Sequence, residues 1–236
     1  GFDNLFLPLG ILIFLDVHSS SSLAELILIA SAFALGTFAF KLIAPKLGLS
    51  RHAASAYVTA VFLILAVTAF QNTILPILIL VAHAWSRSAA PCKSQFPNLD
   101  IVAGLALISF GWLVLGNATG LNAVAFYGMT AMGLIMGFSA MALSVRPRIL
   151  AGVVLLAIAF VLCVIRAAVI DLNPEFTNWN GAMWPVVTAT LLLTAMAPLL
   201  FPTAFDHRRV AKLTLLALVV PLCSYLFSID LTGMFL

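Results

Sequence analysis

Residues 53–88, AASAYVTAVFLILAVTAFQNTILPILILVAHAWSRS, decide how this chain is folded. As a single helix the stretch would be over ~50 Å long at ~1.5 Å per residue, against a bilayer hydrocarbon core of ~30 Å. The run is broken at Gln71, Asn72 and Thr73, with Pro76 just beyond. Polar residues followed by proline mark a turn and a new helix start, so two spans, 53–70 and 73–88, are expected rather than one.

Composition sets the solvent in which those spans fold. The chain of 236 residues is 64% hydrophobic and 8% charged, with a mean hydropathy of +1.19. Water-soluble domains carry roughly 25% charged residues, so a soluble fold is excluded and a membrane protein is expected. Inside a bilayer each backbone must satisfy its own hydrogen bonds, which leaves helices or closed barrels. The apolar runs here are continuous and lack the in-out alternation of ~10-residue barrel strands, which selects helices. Further runs of spanning length fall near 23–44, 99–116, 122–144, 149–171, 183–201 and 208–229, and residues 5–17 form a short first one. The expectation is an all-α, polytopic bundle of eight or nine spans forming one integral membrane domain over 1–236.

The charges test the division at residues 71–73 independently. With nine spans, the basic residues follow spans two, four, six and eight: Lys41, Lys46 and Arg51; Arg87 and Lys93; Arg146 and Arg148; Arg208, Arg209 and Lys212. That accounts for ten of the 11 Lys and Arg, and the alternate connections hold none. Lys and Arg are retained on the cytoplasmic side during insertion, so the N-terminus is expected in the cytoplasm. Merging 53–88 would put later basic loops on the opposite face. The first helix has no basic leader or small-residue cleavage site, so no cleavable signal peptide is expected.

Several function classes drop out on the same evidence. The net charge of +3 is dispersed over four loops, with no basic cluster of the kind that binds nucleic acid. No HExxH, GxSxG, P-loop or glycine-rich dinucleotide turn occurs, so no catalytic residue is identified and no enzymatic role is expected. Cys92, Cys163 and Cys223 lack the spacing of a disulfide or zinc site and read as unpaired thiols.

Three features inside the spans carry chemistry. His83 is the one histidine within a span; beside Trp85 and Arg87 it reads as an interfacial anchor, the alternative being a metal or haem ligand. Arg166 is the one basic residue within a span, about a turn and a half from the outer end, with Asp171 and Glu175 following. It reads as snorkelling to the outer interface toward an acidic partner, the alternative being capture of an anionic group such as a carboxylate or haem propionate. The stretch 127–148, YGMTAMGLIMGFSAMALSVRPR, holds Gly133 and Gly137 in a GxxxG spacing that permits close helix packing. Met129, Met132 and Met136 share a face of the same helix, where thioethers either fill space or bind Cu(I).

Three strings together give the chain a family likeness: LGTFAFKLIAPKLGLSRH (35–52), LILVAHAWSR (78–87) and the Gly-Met stretch 127–148. Their order resembles the C-terminal two-thirds of the NnrS family, haem- and copper-associated membrane proteins linked to nitric oxide stress. The resemblance implies a bacterial inner-membrane protein with haem or copper, for which His83 and His18 are the family's ligands that remain; the copper reading of Met132 and Met136 rests on their thioethers alone. The chain departs from that family in IVAGLALISFGWLVLG (101–116), which has no histidine, and in SVRPR (144–148), which stands where the family has a Gly-His-Thr-Gly-type segment.

The residues as a whole favour an accessory or structural multi-pass protein of the inner (cytoplasmic) membrane. Its expected partners are the lipid bilayer and other membrane subunits or a second copy of the chain. An NnrS-like haem- or copper-binding protein is the alternative. A small-solute transporter is a second, against which the spans' poverty in polar groups counts, since such proteins place them near the midplane.

Overall fold

The computed structural model describes residues 2–65, 73–121, 123–172 and 183–231. Among these, every regular element is helical: α1 (Phe2–Val17), α2 (Leu23–Ile43), α3 (Arg51–Leu65), α4 (Ile74–Ala89), α5 (Pro97–Thr119), α6 (Val124–Leu143), α7 (Arg148–Leu172), α8 (Trp184–Leu200) and α9 (Arg209–Leu231). Short 3₁₀ turns follow α2 at Ala44–Leu47 and α8 at Pro202–Phe205. Each expected run corresponds to one helix, and α3 and α4 are separate elements. Gln71, Asn72, Asn122 and Glu175, on which parts of the sequence reading turned, lie outside the described residues.

Local chemistry sets the boundaries. Ser22 opens α2 with a capping box: its hydroxyl accepts from the Glu25 amide at 3.3 Å while the Glu25 carboxylate accepts from the Ser22 amide at 2.7 Å. The chain leaves the following 3₁₀ turn through Gly48 at φ 70°, and Ser50 then accepts from the Ala53 amide to cap α3. Pro97 begins α5, where its missing N–H costs nothing, and Gly120 at φ 67° ends it.

Five helices, α2, α5, α6, α7 and α9, are long and apolar enough to cross a membrane. The other four, α1, α3, α4 and α8, are apolar and have fewer than 18 described residues each.

α6 is the axis of the molecule. All of its residues from Phe126 to Leu143 are buried, and α4, α5, α7, α8 and α9 pack around it. Leu75 beside Gly128 and His83 beside Phe138 set α4 parallel to α6; Thr190 at Gly133 and Thr194 at Gly137 do the same for α8. Leu213 at Gly137 with Tyr225 at Phe126 sets α9 antiparallel, as Arg166 at Ala125 does α7. The C-terminal ends of α4, α6 and α8 therefore meet the N-terminal ends of α7 and α9. Arg87, Arg146, Arg148, Arg208, Arg209 and Lys212 all belong to this end, called the basic end below. α1 packs on α5, where an added Cβ at Gly10 would lie 2.8 Å from the Phe110 ring. α2 leans on α3 at the rim through the Phe33 and Phe62 rings, 5.1 Å apart, and buries none of its residues.

Candidate functional site

His83 is not an interfacial anchor. It is 1% exposed, inside the contact of α3, α4 and α6, because the face of α4 that carries it (Leu75, Ile79, Leu80, His83 and Ser86) is the face that packs inward. Its Nδ1 shares a hydrogen bond of 2.8 Å with the Tyr57 hydroxyl of α3, and the Phe138 ring stands edge-on to the imidazole at 5.3 Å. The Tyr57 ring closes another side at 5.9 Å. Burial of a polar ring is tolerable only with such a partner. With Nδ1 engaged, Nε2 is the nitrogen left for any ligand.

The structure does not bring His83 together with Met132 and Met136. All three are buried, but Phe138 marks the flank of α6 that meets His83. At ~100° per residue Met136 points about 160° away from that flank and Met132 about 120° away. The thioethers fill space within the bundle, and among the described residues no group of three or more His, Cys, Asp or Glu side chains is placed to hold a metal ion. His83 and the thioethers of Met132 and Met136 therefore do not converge on one site. Cys92, Cys163 and Cys223 are free thiols.

Arg166 does not reach outward from the bundle. It is 3% exposed and turns toward α6, where Nη1 donates to the Ala125 carbonyl at 3.2 Å and lies 3.3 Å from the position a Cβ would take on Gly128. The absent side chain at Gly128 makes room for the guanidinium, and the burial follows from helix phase: Ala151, Leu155, Leu162 and Arg166 form the narrow inward stripe of α7. Ala125 lies in the first turn of α6, so Arg166 sits at the end of the bundle opposite the basic end, inside the protein rather than at its surface.

Gly133 and Gly137 face α8 and α9. A Cβ on Gly133 would stand 2.8 Å from Thr190 Cγ2 and 3.2 Å from Ala217 Cβ; one on Gly137 would stand 3.0 Å from Leu213 Cδ2. Only glycine lets three helices meet this closely. The hydroxyls of Thr190 and Thr194 are turned back onto the Val186 and Thr190 carbonyls at 2.7 Å, which leaves their methyl groups for the glycine face.

Two polar anchors escaped the sequence reading. Trp112 Nε1 donates to Thr130 Oγ1 at 3.1 Å inside the contact of α5 and α6, and Thr130 in turn donates to the Phe126 carbonyl at 2.9 Å. Tyr225 stacks edge-on against Phe126 and Trp112, at 5.0 and 5.3 Å. Its hydroxyl donates to the Leu121 carbonyl at 3.2 Å and shares a 2.6 Å hydrogen bond with Thr119 Oγ1. These satisfy groups at the C-terminal end of α5, where helix carbonyls lack intrahelical donors. The only signal in the sequence was a polar-tipped aromatic on an apolar helix, which does not name its partner. Compared with family models, with characterised proteins and with solved structures, the chain has no significant match.

Proposed function

We propose that the chain is a multi-pass protein of a bacterial inner membrane with a structural role, as an accessory protein or one subunit of a larger membrane assembly. The observation that carries this reading is the enclosure of α6: among the described residues, none from Phe126 to Leu143 is exposed, so the centre of the bundle is a packed helix. A solute carrier needs polar groups and broken helices around a central site; here α6 is unbroken from Val124 to Leu143, and the Thr190 and Thr194 hydroxyls beside its glycines are turned onto their own helix. The outer faces of α2 and α7 are correspondingly apolar, as lipid or a neighbouring subunit requires: Leu28 and Leu35 on α2 and Leu156 and Phe160 on α7 are exposed.

In this reading the chain crosses nine times, with its basic end in the cytoplasm, since that arrangement places ten of its 11 Lys and Arg on the retained side. Purification of the full chain in mild detergent, followed by native mass spectrometry, tests the role. A stoichiometric complex with another membrane protein or a defined homo-oligomer is expected. A lone monomer with a Soret band or stoichiometric copper would replace this reading with the haem- or copper-binding one.

A further inference from the structure

We propose that the α4–α5 and α8–α9 connections form a latch that closes the basic end of the bundle, with the Arg209 guanidinium as its bolt. By position Arg209 is one more basic residue at a helix start. In the fold it is fully buried. Its Nη1 donates to the Ser86 carbonyl in the last turn of α4 at 3.0 Å, its Nη2 donates to the Pro91 carbonyl in the α4–α5 connection, and its Nε donates to the Phe205 carbonyl at 3.3 Å. A planar fork of five N–H donors can serve three carbonyls from separate segments at once, which an ammonium on a single stem cannot. The Ser86 carbonyl already accepts from the Ala90 amide at 3.1 Å, so the guanidinium adds a second donor to it, at a helix end where the dipole favours a cation.

Further bonds lie along the same seam. The Lys93 amide donates to the Asp206 carbonyl at 2.7 Å, a backbone link between the two connections. Arg87 Nη1 donates to Asn98 Oδ1, tying the end of α4 to the start of α5, and Lys212 Nζ donates to the Ala204 carbonyl. Arg208 lies at φ 51°, the left-handed region that side chains rarely adopt, at the point where the chain turns from the 3₁₀ segment into α9.

The latch is separable from the core. α8 and α9 grip α6 deeper in the bundle, at Gly133 and Gly137, so opening the seam leaves those contacts in place. Cys92 lies between Pro91 and Lys93, two residues that the latch holds, and is half-buried while it is shut. This makes it a built-in reporter. The inference holds whichever way the chain is oriented in a membrane and whatever its partners, so its failure would leave the proposed role untouched.

The test is the labelling rate of Cys92 with a membrane-impermeant maleimide, in full-length Cys163→Ser, Cys223→Ser protein in nanodiscs. Arg209→Gln should raise the rate several-fold below the melting transition, and Arg209→Lys, which keeps the charge without the fork, should fall between it and the parent. If Arg209→Gln does not fold, Lys93→Pro decides: it removes the backbone donor to Asp206 and leaves Arg209 in place, and should also speed labelling. An unchanged rate in folded variants, or a rise only where the whole protein melts, would overturn the latch.

Discussion

α6 and α2 are nearly equal in length, 20 and 21 residues, and α2 is the more apolar of the two, yet α6 is enclosed and α2 buries none of its residues. Apolarity therefore does not choose the centre of this bundle. Lipid tails are as apolar as leucine, so in a bilayer hydrophobicity gives no net drive for one helix to seek another. Helices are instead selected by how closely neighbours can approach and by the polar groups they can share. α6 offers Gly128, Gly133 and Gly137 to four different helices and satisfies Trp112 through Thr130. α2 has one glycine, Gly36, where an added Cβ would stand 3.9 Å from its nearest neighbour, the Phe62 ring, so no helix approaches it closely.

The strongest way to break this comparison is to put the same methyl group on both helices. Gly133→Ala should destabilise the protein by ~1–3 kcal/mol, because its Cβ meets Thr190 at 2.8 Å, and Gly133→Leu should abolish folded yield. Gly36→Ala, whose Cβ would sit 3.9 Å from Phe62, should be neutral or stabilising by up to ~1 kcal/mol through helix propensity. Melting temperature in detergent reads both; equal losses would mean that close approach is not what distinguishes the axis from the rim.

Tyr225→Phe sharpens the polar half of the argument at smaller magnitude. The substitution keeps the ring against Phe126 and Trp112 and removes only the hydroxyl that serves Leu121 and Thr119. A loss of ~1–2 kcal/mol is expected, near the cost of leaving a buried acceptor unserved. A change below ~0.5 kcal/mol would assign the anchoring to ring packing alone.

Met132→Leu with Met136→Leu should cost less than ~1.5 kcal/mol, since volume is conserved on a face of α6 that is already filled. Loss of bound copper from that variant, with the fold intact, would make α6 a metal-binding helix rather than a packing one. The smallest effect is expected on the rim. Leu28→Phe on the exposed face of α2 should change stability by no more than ~0.5 kcal/mol, and a larger loss would reveal a partner on that face.

The helices were legible because their determinants are local. An apolar run, the Ser22 and Glu25 pair and the proline at the start of α5 each act within a turn or two of the chain, and α3 and α4 are separate elements, as the polar triplet before Pro76 predicts. The glycine spacing in α6 was legible as a capacity for close packing; that α8 and α9 fill it was not, because Thr190 and Ala217 are distant in sequence. His83 and Arg166 show the same limit. Each was read from its depth along a helix as an interfacial group, and each is buried because of its phase around the helix relative to α6.

What the sequence determined by itself is the solvent, the helical class and the division into segments, since transfer free energy and backbone propensity are properties of residues and their near neighbours. Which helix becomes the axis, and which charges leave the interface for the interior, were decided only by the tertiary structure. Arg209 and the Ser86 carbonyl that it serves are 123 residues apart, and no local rule relates them. The buried Arg209 guanidinium is satisfied by carbonyls from separate segments, and they converge on it only once the helices have packed.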